Sequence, residues 1–170
     1  MKKKIIITGG LGYIGTELCK LYSGVSWHHN ITVIDNRFIS ERVNQIRNWN
    51  MEFIEGDILD KELIKKYCYN ADVVHHLAGV TQVPRTKSES SDSQDKKIME
   101  VAEKGTQNIL DVINNKCKII FPSTHVVYEG INEVKKDIKE NEDTKPVLSY
   151  SSSKAINEDQ LKKSGKNYII

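Results

Sequence analysis

The chain has 170 residues, enough to bury a single core, and its 38% hydrophobic content is that of a globular domain and not of a disordered tail. Lys and Arg number 25 against 23 Asp and Glu, a net charge of +2 that gives no electrostatic reason to expect a nucleic-acid or membrane partner. Cys19, Cys68 and Cys117 are odd in number, far apart and free of any CxxC pair, which speaks against a disulfide or zinc framework and for reduced thiols in a cytoplasmic setting.

The opening Met1-Lys2-Lys3-Lys4 and Ile5-Ile6-Ile7 have the order of a signal peptide, but Thr8-Gly9-Gly10 ends the apolar run, so the segment reads as a strand. No apolar stretch approaches the ~20 residues of a membrane-spanning helix, and a soluble protein is expected. Further β-branched runs follow at Ile31–Asp35, Met51–Glu55, Val73–Leu77, Lys118–Phe121 and Tyr168–Ile170, making with Ile5–Thr8 six candidate parallel strands. Between them helical patterns occupy Tyr13–Leu21, Glu41–Asn48, Lys61–Tyr69, Ser93–Asn114 and Tyr150–Ser164, the alternation of a doubly wound α/β sheet. In the longest helix Ile98, Val101, Gly105, Ile109 and Val112 recur every three or four residues, a stripe for packing on the sheet. Two polar stretches break the pattern, Thr86–Lys97 and Ile131–Pro146. Both read as mobile surface segments, the first leading into a helix and a candidate lid.

Gly9, Gly12 and Gly15 form GxxGxxG directly after the first strand and at the opening of the first helix. Such a turn needs a residue tolerant of positive φ, a backbone that can approach a pyrophosphate, and close contact of helix and strand. The helix N-terminus would meet the phosphates with free N–H groups and a favourable dipole. A glycine triplet alone is equally an ordinary tight turn. Here Asp35 ends the second strand 20 residues after Gly15, where a carboxylate accepts from the adenosine ribose hydroxyls and repels a 2′-phosphate. The pattern is that of a Rossmann-type doubly wound parallel sheet binding NAD, while Arg37 leaves a lesser case for NADP.

Later motifs appear in the order of the extended short-chain dehydrogenase/reductase family, and the chain resembles its NAD-dependent sugar-nucleotide epimerase/dehydratase branch, N-terminal part only. Gly56-Asp57 resembles the adenine-contacting acid, Asp72-Val73-Val74-His75-His76-Leu77-Ala78-Gly79 the fourth-strand segment, and Phe121-Pro122-Ser123-Thr124 with Val127-Tyr128 the fifth. Tyr150 and Lys154 match the YxxxK pair. The cofactor-binding set so implied is Gly9, Gly12, Tyr13, Ile14, Gly15, Asp35, Asn36, Asp57, Ile58, Leu77, Ala78, Gly79, Tyr150 and Lys154. The implied catalytic set is Thr124, Tyr150 and Lys154, with Tyr150 taking a proton from a substrate hydroxyl as hydride passes to the nicotinamide. Thr124 would hold that hydroxyl. Lys154 would bind the nicotinamide ribose and favour the phenolate, and lowering a tyrosine by ~3 pKa units takes about 4 kcal/mol. Each of these motifs has a plainer reading: Asp57 as the cap of a turn, Tyr150 and Lys154 as surface residues. Metal is not expected, because adjacent strand residues such as His75 and His76 point to opposite faces, and His28 and His29 lack ligand spacing.

The chain departs from the family in three places: Ala102 stands where members carry Asn before Gly105-Thr106, Glu129 stands where they carry Gly after Val-Tyr, and the chain ends at Ile170. The resemblance therefore predicts one incomplete NAD-binding domain over residues 1–170, truncated in the sixth strand and with the substrate lobe absent. It implies an NAD-dependent epimerase or dehydrogenase for a nucleotide sugar, pairing as a homodimer through the long helices. A catalytically inactive NAD-binding module or fragment is the alternative. A dehydratase is the second, disfavoured because His125-Val126 stand where dehydratases place an Asp-Glu pair.

Overall fold

The computed structural model describes residues 1–81, 86, 89–132 and 136–170. Strands β1 (Lys4–Thr8), β2 (Asn30–Asp35), β3 (Glu52–Glu55), β4 (Val73–His76), β5 (Lys118–Ile120) and β6 (Asn167–Ile169) form one sheet in the order β3-β2-β1-β4-β5-β6. Every pairing is parallel, with Ile7 of β1 opposite Val33 on one side and His75 on the other. Helices α1 (Tyr13–Ser23), α2 (Ser40–Asn48), α3 (Lys61–Cys68), α4 (Asp92–Val112) and α5 (Ser149–Lys163) connect the strands and cover both faces. The chain leaves β1 toward β2 and later returns to β1's other side with β4. That reversal opens a crevice at the carboxyl ends of β1 and β4.

Strand alternation divides the core in two. Ile5 and Ile7 face α1 and α2 with Leu11, Val33, Val43 and Ile46, whereas Ile6 faces α3, α4 and α5 with Val74, Ile109, Ile119, Phe121 and Leu161. The expected stripe on α4 is found there, with Ile98, Gly105 and Ile109 buried. The free thiols divide likewise, Cys19 on the α1 side and Cys68 and Cys117 on the other, and burial pushes Cys19 and Cys68 up to about 12 and Cys117 up to about 11.

The observed elements lie within two residues of their expected limits, and the differences have local causes. Asn114 was expected inside α4, but its Oδ1 accepts from the N–H groups of Lys116 (2.8 Å) and Cys117 (3.1 Å), a turn that competes with the helix. α4 also starts at Asp92, inside the polar stretch read as a loop, because Ser91 caps it and Asp92 and Asp95 sit in its first turn. Of the two stretches expected to be mobile, Lys87, Ser88 and 133–135 lie outside the described residues. Among the described residues no helix is long and apolar enough to cross a membrane.

Ile109, fully buried between α4 and the sheet, should lose about 2–5 kcal/mol of unfolding free energy when changed to Ala. The exposed Lys104→Ala on the same helix should stay within about 0.5 kcal/mol, and urea titration of both variants measures the contrast.

Candidate functional site

The crevice begins at Gly9. Its φ is +70°, and a Cβ there would lie 2.6 Å from the backbone nitrogen of Ala78, so only glycine lets the loop after β1 pass the end of β4. Gly15 is constrained from the other side, where a Cβ would meet the Gly9 carbonyl oxygen at 2.5 Å. Gly12 caps α1 with an extended ψ and no side-chain acceptor, and the first turn carries no acidic residue. The N–H groups of that turn therefore meet the crevice with their partial positive charge uncompensated from within the helix. Tyr13 and Ile14 beside them are exposed.

Asp35 closes this loop from the end of β2. It is buried, and its Oδ2 accepts from the Leu11 N–H at 2.9 Å. Arg37 takes much of its remaining capacity, with backbone N–H and Nε donating to Oδ1 at 3.1 and 3.0 Å and Nη2 to Oδ2 at 3.2 Å. Asn36 reaches across to Asp57, its Nδ2 donating to Oδ2 at 3.0 Å, while Asp57 Oδ1 accepts from the Leu59 N–H at 2.9 Å. The capping role considered for Asp57 is thus present, yet its other oxygen joins the crevice rim. Ile58 sits differently: its side chain is buried against Gly105, where a Cβ would come within 2.3 Å of Ile58 Cδ1. Its carbonyl accepts from the Asn108 amide of α4 at 3.0 Å.

Beyond Gly9 the crevice continues into a cleft lined by Leu77, Ala78, Gly79, Tyr150, Lys154 and Asn157. Lys154 Nζ donates to the Pro122 carbonyl at 3.0 Å and stands 4.5 Å from the Phe121 ring centre and 6.0 Å from that of Tyr150. Burial holds its ammonium down at about 8. Thr124 heads the 3₁₀ turn His125–Tyr128, its Oγ1 accepting from the Val126 N–H at 3.4 Å. Tyr150 and Lys154 therefore line the cleft from α5, Thr124 heads the turn that follows β5, and the glycine loop with Asp35 lies beyond Leu77 and Ala78.

Sequence reasoning missed the buried polar chain that joins these two sides. His76 Nδ1 is 3.0 Å from Thr8 Oγ1 and its Nε2 is 2.9 Å from Thr106 Oγ1; the Asn157 amide donates to Thr106 Oγ1 and to the Ala102 carbonyl, both at 2.8 Å. Thr8 Oγ1 also accepts from the Ala78 N–H at 3.3 Å. In either tautomer one ring nitrogen of His76 donates and the other accepts. The signal for Asn157 was available, since Tyr150, Lys154 and Asn157 follow i, i+4, i+7 spacing on one helix face. His75 points to the opposite face of the sheet, where its Nε2 meets the Tyr22 hydroxyl at 2.8 Å. Among the described residues no three His, Cys, Asp or Glu side chains gather as metal ligands.

Burial, with Lys154 adding to it, pushes His76 down to about 3 from its ordinary 6.5. A folded value below the unfolded one means that the unfolded ring binds a proton the folded ring refuses. Stability should therefore fall as pH drops below the ordinary histidine range. Urea midpoints measured between about pH 7 and pH 5 should decline in the native chain and flatten in part in His76→Gln, with His75, also lowered by burial, supplying the rest.

Comparison with known proteins places this geometry. Residues 6–169 match the model of the 3-beta hydroxysteroid dehydrogenase/isomerase family. The chain is 35% identical over 130 residues to a UDP-N-acetyl-alpha-D-glucosaminuronate decarboxylase of Bacillus cytotoxicus, covering 75% of this chain and 38% of that protein. Among solved structures it superposes on UDP-glucose 4-epimerase from Brucella ovis in complex with NAD, at TM-score 0.75 and 28% identity over 98% of this chain and 50% of the other. The UDP-N-acetylglucosamine 4-epimerase of Methanobrevibacter ruminantium gives TM-score 0.76 and 27% identity over 99% and 54%. The chain spans about half of these structures' length and less of the decarboxylase's. With the family model matched almost from end to end, the chain belongs to the 3-beta hydroxysteroid dehydrogenase/isomerase family, among the extended short-chain dehydrogenase/reductases of the nucleotide-sugar epimerase/dehydratase kind.

Proposed function

We propose that residues 1–170 form the NAD-binding domain of an NAD-dependent epimerase or dehydrogenase acting on a nucleotide sugar. The observation that carries this reading is that the glycine loop held by Asp35 packs, through Gly9, on the Leu77–Ala78 peptide that lines the cleft of Tyr150 and Lys154. The residues fit the cofactor. The glycine-rich loop would admit a pyrophosphate against the first turn of α1, and Asp35 would offer buried carboxylate oxygens to the adenosine ribose. Asn36 and Asp57 would border the adenine, and Leu77 to Gly79 the pyrophosphate and ribose. NAD, when bound, supplies the acceptor for a hydride.

The chain's own groups then divide the work. Thr124 and Tyr150 would hydrogen-bond the substrate hydroxyl, and Tyr150 would take its proton as the carbon is oxidised. Lys154 would hold the nicotinamide ribose and stabilise the phenolate by its charge. The exposed His125 and the neighbouring Val126 offer no carboxylic acid beside Thr124, which favours epimerisation or oxidation over dehydration. One observation supports the second reading, a module that binds NAD without turnover: Ala102 puts only a methyl group on the cleft.

Added UDP-sugars should reduce NAD bound to the chain, seen as reduced-nicotinamide absorbance, and Tyr150→Phe should slow this by about 10²–10⁴-fold. NAD binding with no absorbance change under any UDP-sugar would leave the binding module. A second measurement addresses cofactor choice. Arg37 competes with the ribose for Asp35 and is a cation beside it that could turn to a 2′-phosphate. Arg37→Ala should therefore widen the preference for NAD over NADP in calorimetric titration by roughly tenfold, ~1.4 kcal/mol.

A further inference from the structure

Helix α5 carries Tyr150 and Lys154, yet Leu148 before it offers no side-chain acceptor to its first turn. The two residues that lead into the helix are held instead from 18 and 19 residues earlier. Glu129 Oε1 accepts from the Val147 and Leu148 N–H groups, each at 2.8 Å, and also contacts the Ser151 hydroxyl. Ser151 is buried beside it, and its oxygen lies within 3.3 Å of the same two backbone nitrogens. Its one hydrogen is shared between Glu129 and the Leu148 carbonyl at 2.8 Å.

The backbone repeats the connection. The Lys145 N–H donates to the Val127 carbonyl and the Gly130 N–H to the Lys145 carbonyl, both at 2.8 Å. A Cβ on Gly130 would meet that carbonyl oxygen at 2.5 Å, so the two segments lie against each other with no room for a side chain. One segment is the turn headed by Thr124, and the other leads into Tyr150. Glu129 itself has ordinary helical angles, φ −62° and ψ −22°. Having a side chain where a glycine would be expected strains nothing and adds a carboxylate.

We propose that Glu129 is a positioning residue, clasping the first turn of α5 to the Thr124 turn and so setting Tyr150 relative to Thr124. The idea rests on the catalytic reading of Thr124 and Tyr150, while the clasp can be tested without it. Burial raises the Glu129 carboxyl, and the bonds from Ser151, Leu148 and Val147 outweigh it and hold the group below the ordinary glutamate range. The clasp is then complete above that range and is lost as pH falls through the lowered value.

Amide NMR of the chain tests this directly. The Val147 and Leu148 N–H resonances should shift together with one midpoint, below the ordinary glutamate range, and the transition should vanish in Glu129→Gln. His125, Tyr128, Lys145 and Tyr150, titratable neighbours on the bridged segments, remain in that variant and serve as the control. Glu129→Gln keeps a carbonyl acceptor and should retain protection of the Tyr150 and Ser151 amides, whereas Glu129→Ala should speed their exchange at least about tenfold. With NAD and a UDP-sugar, Glu129→Ala should lower kcat at unchanged NAD affinity, and Glu129→Gln should restore most of it. Separate midpoints for the two amides, or unchanged Tyr150 exchange in Glu129→Ala, overturn the clasp. A native chain that never reduces NAD while the amide results hold overturns the catalytic reading and leaves the clasp standing.

Discussion

The contact between the Gly9 backbone and the Leu77–Ala78 peptide sets the terms for everything built around it. Two parallel neighbours, β1 and β4, send their chains in different directions at the same edge of the sheet, and the loop leaving β1 must cross the end of β4 within van der Waals distance. A side chain on Gly9 would push the strands apart or force the loop outward, and its positive φ excludes most residues on conformational grounds as well. Once the loop takes that path, α1 can only start with its N–H groups facing the crevice. Asp35 then has a loop N–H, that of Leu11, to hold. A phosphate-binding helix end is a by-product of tight packing here, and chemistry has been added to it.

The second organising element is polar and buried. Thr8, His76, Thr106 and Asn157 run from the first strand through the fourth strand to α4 and α5, all within hydrogen-bond distance in sequence. Such a chain is costly to disturb, since any member left unpaired in the interior loses about 1–3 kcal/mol. In return it specifies one relative placement of the glycine loop and the helix bearing Tyr150 and Lys154. Hydrophobic packing alone permits small slides of a helix along a sheet; a set of directed bonds does not.

Much of this was legible from residue order. The β-branched runs gave the strands because a parallel sheet buried on both faces needs nearly continuous apolar segments, and Ile5 to Ile7 illustrate it. Glycine spacing before a helix, followed by Asp35 at a strand end, placed the crevice. The polar chain was not legible, because His76, Thr106 and Asn157 are 30 and 51 residues apart in sequence and only the sheet order brings them together. Nor was the role of Glu129: the sequence marks it only as a residue standing where the family carries glycine, and its consequence lies 18 residues further on. Asn114 shows the converse, a residue with helical neighbours whose side chain bonds forward and ends the helix.

The three thiols carry a consequence of a different kind. Each is a thiol with its ionisation pushed far above neutrality and no exposed surface, so alkylating reagents meet essentially no thiolate in the closed molecule. They lie on both sides of the sheet, Cys19 on the buried face of α1 and Cys68, at the end of α3, with Cys117 in the opposite layer. Nature has in effect installed a tamper seal in each layer. Comparing how quickly each seal breaks would tell whether the two halves of the fold breathe as one body or come apart separately, without the introduction of any label.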